Sequence, residues 1–116
     1  MKQNNIILDL TFDFSLQIIK YTKILKENRE YELSKQLFRS GTSIGANVRE
    51  AQSAESRNDF IHKLRISDKE AQETEYWLLL CKRSEGYPDA DELLKTIGNI
   101  KRILGKIIST SKLNNN

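Results

Sequence analysis

Acid–base, nucleophilic or metal chemistry would need histidine, cysteine or grouped carboxylates. This chain of 116 residues is sparing with the first two, because His62 and Cys81 are each the single member of their kind. A di-metal helix bundle needs a Glu from each of two helices and a Glu-x-x-His from each of two others, which one histidine cannot supply. His62 therefore reads as a solvated helix residue. Glu70 and Glu73 stand three apart with Glu75 close behind, so on a helix the first two face one side. Paired carboxylates can do general acid–base work. They can also pair with Arg or Lys of a neighbouring helix, or with Lys69 of their own, and that structural use is the favoured one. Cys81 falls on an apolar stripe and reads as a small buried hydrophobe. Being alone, it excludes an internal disulfide and a cysteine-rich zinc site. Serines abound, but His62 is the one available base and no nucleophile elbow is present. Gly41 and Gly45 lack the Lys-Ser/Thr that completes a phosphate-binding loop. No catalytic residue, metal ligand or cofactor is expected.

The cations make a better case. The net charge is +3, and the surplus sits at the C-terminal end. There Lys95, Lys101, Arg102, Lys106 and Lys112 occur with no acid among them, after the acidic Asp89, Asp91 and Glu92. Lys95, Arg102 and Lys106 recur at steps of seven and four, so on a helix they line up, with Lys101 beside them. Such a stripe can follow a phosphate backbone, counterion release supplying the affinity. Its plainer reading is a solvated face whose last cations answer the helix dipole. Repetition in an oligomer would turn one weak stripe into a multivalent site for RNA or DNA.

The elements that must carry these residues are helices. One proline and five glycines leave few breakers, and period-2 alternation is nowhere sustained. Steps of three and four mark helices over about 6–27, 31–53, 57–85 and 90–111. The predicted core stripes are Ile7, Thr11, Phe14, Ile18, Tyr21 and Leu25; Leu33, Leu37, Ser40, Ile44, Val48 and Ala51; Phe60, Leu64, Ser67, Ala71, Thr74, Leu78 and Cys81; and Leu93, Ile97, Ile100, Leu104 and Ile107. Ser56 and Asp89 are N-cap candidates, and the tail from Lys112 is expected to fray. Gly41 and Gly45 each cost about 1 kcal/mol relative to Ala inside a helix. Either another helix backbone approaches closely there or the helix breaks. Short joints make neighbours antiparallel, so residues 1–116 read as one all-α domain, an up-down-up-down four-helix bundle. Apolar residues beyond the core stripes, among them Leu8, Phe12, Trp77, Leu80, Leu94 and Ile103, are either edge packing or a second surface buried between subunits. No signal peptide or membrane span is legible. The expected compartment is the cytoplasm.

Residues 33–80 carry a more specific pattern: Gln36-Leu37, Arg39-Ser40, Ser43-Ile44, Asn47, Glu50, then Asp59-Phe60, then Glu70 and Glu73. This resembles the four-helix bundle family often encoded inside intervening sequences of bacterial large-subunit ribosomal RNA genes. Family members often have Glu-Gly where this chain has Glu50-Ala51. The resemblance implies a homopentameric ring in the bacterial cytoplasm. A related branch, the accessory protein of diversity-generating retroelements, binds nucleic acid and a reverse transcriptase, so both become candidate partners. The motif residues Arg39, Ser40, Ser43, Asn47, Glu50, Phe60, Glu70 and Glu73 also have a structural reading. A buried Arg39–glutamate pair with Asn47 bridging would fix the register of helices two and three.

Overall fold

The computed structural model describes residues 2–113, with side chains over 6–113. Four helices, α1 Lys2–Glu27, α2 Tyr31–Ala51, α3 Arg57–Arg83 and α4 Asp91–Leu113, follow one another with short joints. Each packs on the helices before and after it, α4 closing against α1, and among the described residues no diagonal pair brings its Cα atoms within 8 Å. The result is an antiparallel bundle of 50 × 21 × 20 Å.

Local chemistry explains the boundaries. After α1, Glu30 N–H bonds to the Leu25 carbonyl (2.8 Å) and Arg29 N–H to that of Lys26 (3.0 Å). This is the Schellman closure, with Arg29 at φ 65° where glycine is usual. α2 stops at Ala51, two residues before the predicted end. Gln52, Ser53 and Ala54 bond three residues back, to Arg49, Glu50 and Ala51, and that tightening ends the α-helix. At the start of α3 the Ser56 hydroxyl accepts from Asp59 N–H (3.0 Å), while Asp59 Oδ2 accepts from Glu55 N–H (3.3 Å). A shorter acid in place of Glu turns the return bond of the capping box onto the preceding residue. α3 ends at Arg83 rather than at residue 85, with Gly86 at φ 86° beyond it. Asp89 accepts from Asp91 N–H (3.0 Å). α4 continues through Lys112 to Leu113, past the predicted fraying point, and residues 114–116 of that tail lie outside the described residues.

The core sits on the predicted stripes of α1, α2 and α4, with Leu33 only half-buried at its edge. On α3 the structure buries Ile61 and leaves Phe60 half-buried at the core edge. These neighbours lie 100° apart on a helix, and the α4 side of the stripe prevails. α2 runs unbroken through its glycines. A Cβ on Gly41 would meet Ile18 Cγ1 at 2.8 Å, and one on Gly45 would meet the Thr11 carbonyl oxygen at 3.2 Å. The glycines therefore buy close approach of α1. Buried hydroxyls tie the helices in register: Ser34 Oγ to Thr22 O (2.9 Å), Ser67 Oγ to Ile44 O (2.8 Å) and Thr74 Oγ1 to Ser40 Oγ (2.9 Å). No buried side-chain polar atom among the described residues lacks a partner.

Candidate nucleic-acid interface

The five α4 cations do not form one surface. On a 100° step per residue, Lys95, Arg102 and Lys106 fall within about 40° of one another and point away from the core stripe. Lys101 and Lys112 lie about a quarter turn or more round, on the α3 side. Lys101 Nζ is 2.8 Å from Glu75 Oε1 of α3, so its charge is already answered. Lys95, Arg102, Lys106 and Lys112 are exposed and form no ion pair among the described residues. Arg102 Nη2 donates to Asn99 Oδ1 one turn earlier, which aligns the guanidinium along the ridge. The available basic ridge is thus Lys95–Arg102–Lys106, with Lys112 beyond it.

The motif residues fall on the α2–α3 seam. Arg39 reaches both Glu70 (Nη1 to Oε1, 3.2 Å) and Glu73 (Nη2 to Oε2), and Trp77 Nε1 donates to the same Glu73 oxygen (3.0 Å). The Arg39 bond, with help from Trp77, holds the Glu73 carboxyl below its usual range. The same contact raises Arg39. Two expectations are corrected. The pair is not buried, since the Arg39 side chain keeps 48% of its exposure, and solvent limits such a pair to about 1 kcal/mol or less. Nor does Asn47 bridge it: Asn47 Nδ2 donates to Ser43 O (2.9 Å) on its own helix, as Ser43 Oγ does to Arg39 O (2.6 Å). Helix geometry brings i−4 carbonyls within reach of short polar side chains, and Asn47 takes that bond two turns along α2 from Arg39. Glu50 pairs with Lys63 of α3 at 3.2 Å. The buried register contact belongs to Ser40, through Thr74.

The end of the bundle at the α3–α4 joint holds two phenols and the cysteine. Tyr21 Oη donates to Pro88 O (2.7 Å) and Tyr87 Oη to Glu30 Oε2 (2.5 Å). Burial, with Cys81 beside it, pushes the Tyr21 phenol far above its ordinary range. Burial likewise raises the Cys81 thiol, which suits a packing residue and not a nucleophile. Glu70, Glu73 and Glu75 of α3 are engaged by Arg39 and Lys101, and no group of three or more metal-ligating side chains occurs among the described residues. No helix there is long and apolar enough to cross a membrane.

A second basic surface escaped the sequence reading. Between α1 and α2 lies an open cleft of about 450 Å³, lined by Ile19, Tyr31, Phe38, Lys23, Lys26 and Lys35. It continues into an apolar groove with Leu8, Phe12 and Leu16 along α1 and Arg49 on α2. The charge tally hid these lysines, because Asp9, Asp13 and Glu27 of α1 cancel them in number without lining the cleft.

A small antiparallel four-helix bundle, tied by an Arg–Glu–Trp network across α2 and α3 and carrying a basic outer ridge, defines the class. The chain belongs to the family of 23S rRNA-intervening sequence proteins, whose pattern matches residues 3–108. It is similar to a protein of unknown function from the S23 ribosomal protein family of Bacteroides thetaiotaomicron VPI-5482, known from a crystal structure at 1.70 Å resolution. The two share 44% identity and superpose with a TM-score of 0.88, over 92% of this chain and 98% of that one. No curated protein matches.

Proposed function

We propose that the protein is a non-enzymatic scaffold of the bacterial cytoplasm that assembles into a homopentameric ring and binds structured RNA or DNA along α4. The observation that carries the reading is the ridge of Lys95, Arg102 and Lys106, three exposed cations in line with no carboxylate partner among the described residues. Lys63, Lys82 and Lys101 each have an acid within 3.2 Å, whereas the ridge cations, like the cleft's Lys23, Lys26, Lys35 and Arg49, have no ion pair among the described residues. One ridge is a weak ligand for phosphate, and a ring repeats it around an axis. Large apolar side chains left in solvent, Phe12 and Tyr31 at 58% and Tyr76 at 57% among them, support self-association. The ring of five copies comes from the family resemblance. Contacts to phosphate alone give shape or charge recognition and not sequence reading.

The test is fluorescence anisotropy of a labelled structured RNA and a matched DNA duplex at about 50 mM salt, a strength at which phosphate contacts are little screened. The scaffold binds, and Lys95→Glu with Arg102→Glu and Lys106→Glu abolishes binding at an unchanged melting temperature. Absence of binding by the natural chain overturns the nucleic-acid reading. Retention of a polymerase such as a reverse transcriptase by a chain that binds no nucleic acid would make it a protein-docking module instead.

A further inference from the structure

Two of the apolar surfaces left uncovered on the bundle differ in charge. The α1–α2 cleft exposes Phe12, Leu16, Tyr31 and Phe38 at 45–58%. Since a large aromatic offers roughly 150–250 Å², these four leave on the order of 400 Å² of mostly apolar surface, the size of a functional patch. Its charged lining residues are Lys23, Lys26, Lys35 and Arg49, with Asp9 and Glu27 at its outer edge on α1. The α2–α3 seam is lined by Leu33, Trp77, Leu80 and Tyr87, with Glu32 its charged residue and no cation. Glu30 and Glu85 flank it, and Tyr76 stands edge-on to Trp77 at 5.4 Å. Arg39 below is answered by Glu70 and Glu73, and Lys82, on the α4 flank, by Asp91. Lys69 and Arg83, exposed on the outer face of α3 beside Tyr76, have no ion pair among the described residues.

Pairing either surface with its own copy would set lysines against lysines or acids against acids, while the cleft against the seam is complementary in both apolarity and charge. We propose, resting on the ring reading above, that the α1–α2 cleft of one copy receives the α2–α3 seam of the next, with Trp77, Leu80 and Tyr76 packed on Phe12, Leu16 and Phe38. Such a contact is heterologous, and a heterologous contact that closes makes a ring. The angle is right for a small one. Adjacent faces of a four-helix bundle point about 90° apart, and the two contacts of each copy must diverge by about 90° in a ring of four and about 108° in a ring of five. A standard interface needs roughly 800 Å² per partner. The apolar centre supplies about half, and the lysine and glutamate rims the rest.

The pairing also orients each copy. α2 belongs to both contacting faces, so it faces the ring axis, and α4, diagonally opposite, lies on the outer circumference. The Lys95–Arg102–Lys106 ridges then stand on the outside of the ring, where a nucleic acid wraps and does not thread.

The experiment mixes two half-dead chains and reads mass by light scattering. One carries Phe12→Asp with Phe38→Asp in the cleft; the other carries Tyr76→Asp with Leu80→Asp on the seam. All four positions are exposed, and Asp is too short to reach the opposing rim. Each variant alone is a monomer, and a one-to-one mixture gives a dimer of one copy of each and nothing larger, because a single cleft–seam pair remains. If the natural chain is oligomeric and either variant alone still forms dimers or the full assembly, this pairing is overturned and the ring survives. A monomeric natural chain overturns both. As a check that does not depend on weakened variants, Phe38→Cys and Tyr76→Cys chains, both with Cys81→Ser, crosslink to each other under mild oxidation. Crosslinking only within each kind would also overturn the pairing.

Discussion

Replacing Gly41 and Gly98 by alanine should change stability in opposite directions, although both lie inside helices. A glycine in a helix interior costs about 1 kcal/mol relative to alanine, so each substitution starts from that gain. At Gly98 nothing lies within 4 Å of the added Cβ, so the gain stands at about 1 kcal/mol. At Gly41 the new methyl falls 2.8, 2.9 and 3.1 Å from Cγ1, Cγ2 and Cδ1 of Ile18. Ile18 is fully buried, and the clash involves its whole branched end, so no single torsion relieves it. Overpacking of this kind costs about 1–3 kcal/mol, and the upper half of that range outweighs the helix gain by about 1–2 kcal/mol. Urea unfolding at fixed protein concentration reads both. With m near 2 kcal/mol/M, Gly98→Ala raises the midpoint by about 0.5 M and Gly41→Ala lowers it by about 0.5–1 M. Ile18→Ala alone costs about 2–5 kcal/mol, but combined with Gly41→Ala it costs less than the sum, because the two side chains compete for one space. A stabilised Gly41→Ala, or additive behaviour of the pair, would refute close packing of α1 on α2 at this point.

Other consequences follow from the same packing. Thr74→Val leaves Ser40 Oγ buried without its partner and costs about 1–3 kcal/mol, readable in the same urea titration, whereas Arg39→Met at the half-exposed pair costs about 1 kcal/mol or less. Because Glu73 titrates below its ordinary 4.5 in the folded chain, its contribution is present above that pH and is lost as pH falls through the lower, folded value. Thermal melts between pH 7 and 2 should therefore show an acid-side loss that Arg39→Met reduces. Cys81, buried with its thiol raised, should resist a thiol-specific reagent at pH 8 in the native protein and react at once in denaturant.

Much of this was legible because burial in a helix follows periodicity. Ile7, Phe14, Ile18 and Leu25 recur at steps no strand would use, and all four are fully buried. Gly41 and Gly45 signalled close approach, but which helix approaches is a tertiary fact. The motif placed Arg39 opposite Glu70 and Glu73, because their spacings match across an antiparallel pair. Its exposure was not legible, because a long side chain can reach a partner from the rim of a seam as easily as from inside it. Lys101 looked like one more member of a basic stripe. Its tie to Glu75 depends on the rotation of α4 against α3, which periodicity fixes only to within a residue. The α1–α2 cleft was missed for a related reason. A net charge summed along a helix averages over faces, whereas Lys23, Lys26 and Lys35 meet only after α1 and α2 pack.

The most direct test of a nucleic-acid scaffold built from repeated ridges is the salt dependence of RNA binding by the natural chain. The four unpaired α4 cations of one copy, Lys95, Arg102, Lys106 and Lys112, could give a log–log slope no steeper than about −3.6, at about −0.9 for each neutralised phosphate of a duplex. A ring presenting several ridges predicts a slope well beyond that, about −6 or steeper. A slope shallower than about −4, or no binding at the lowest salt, would contradict the account.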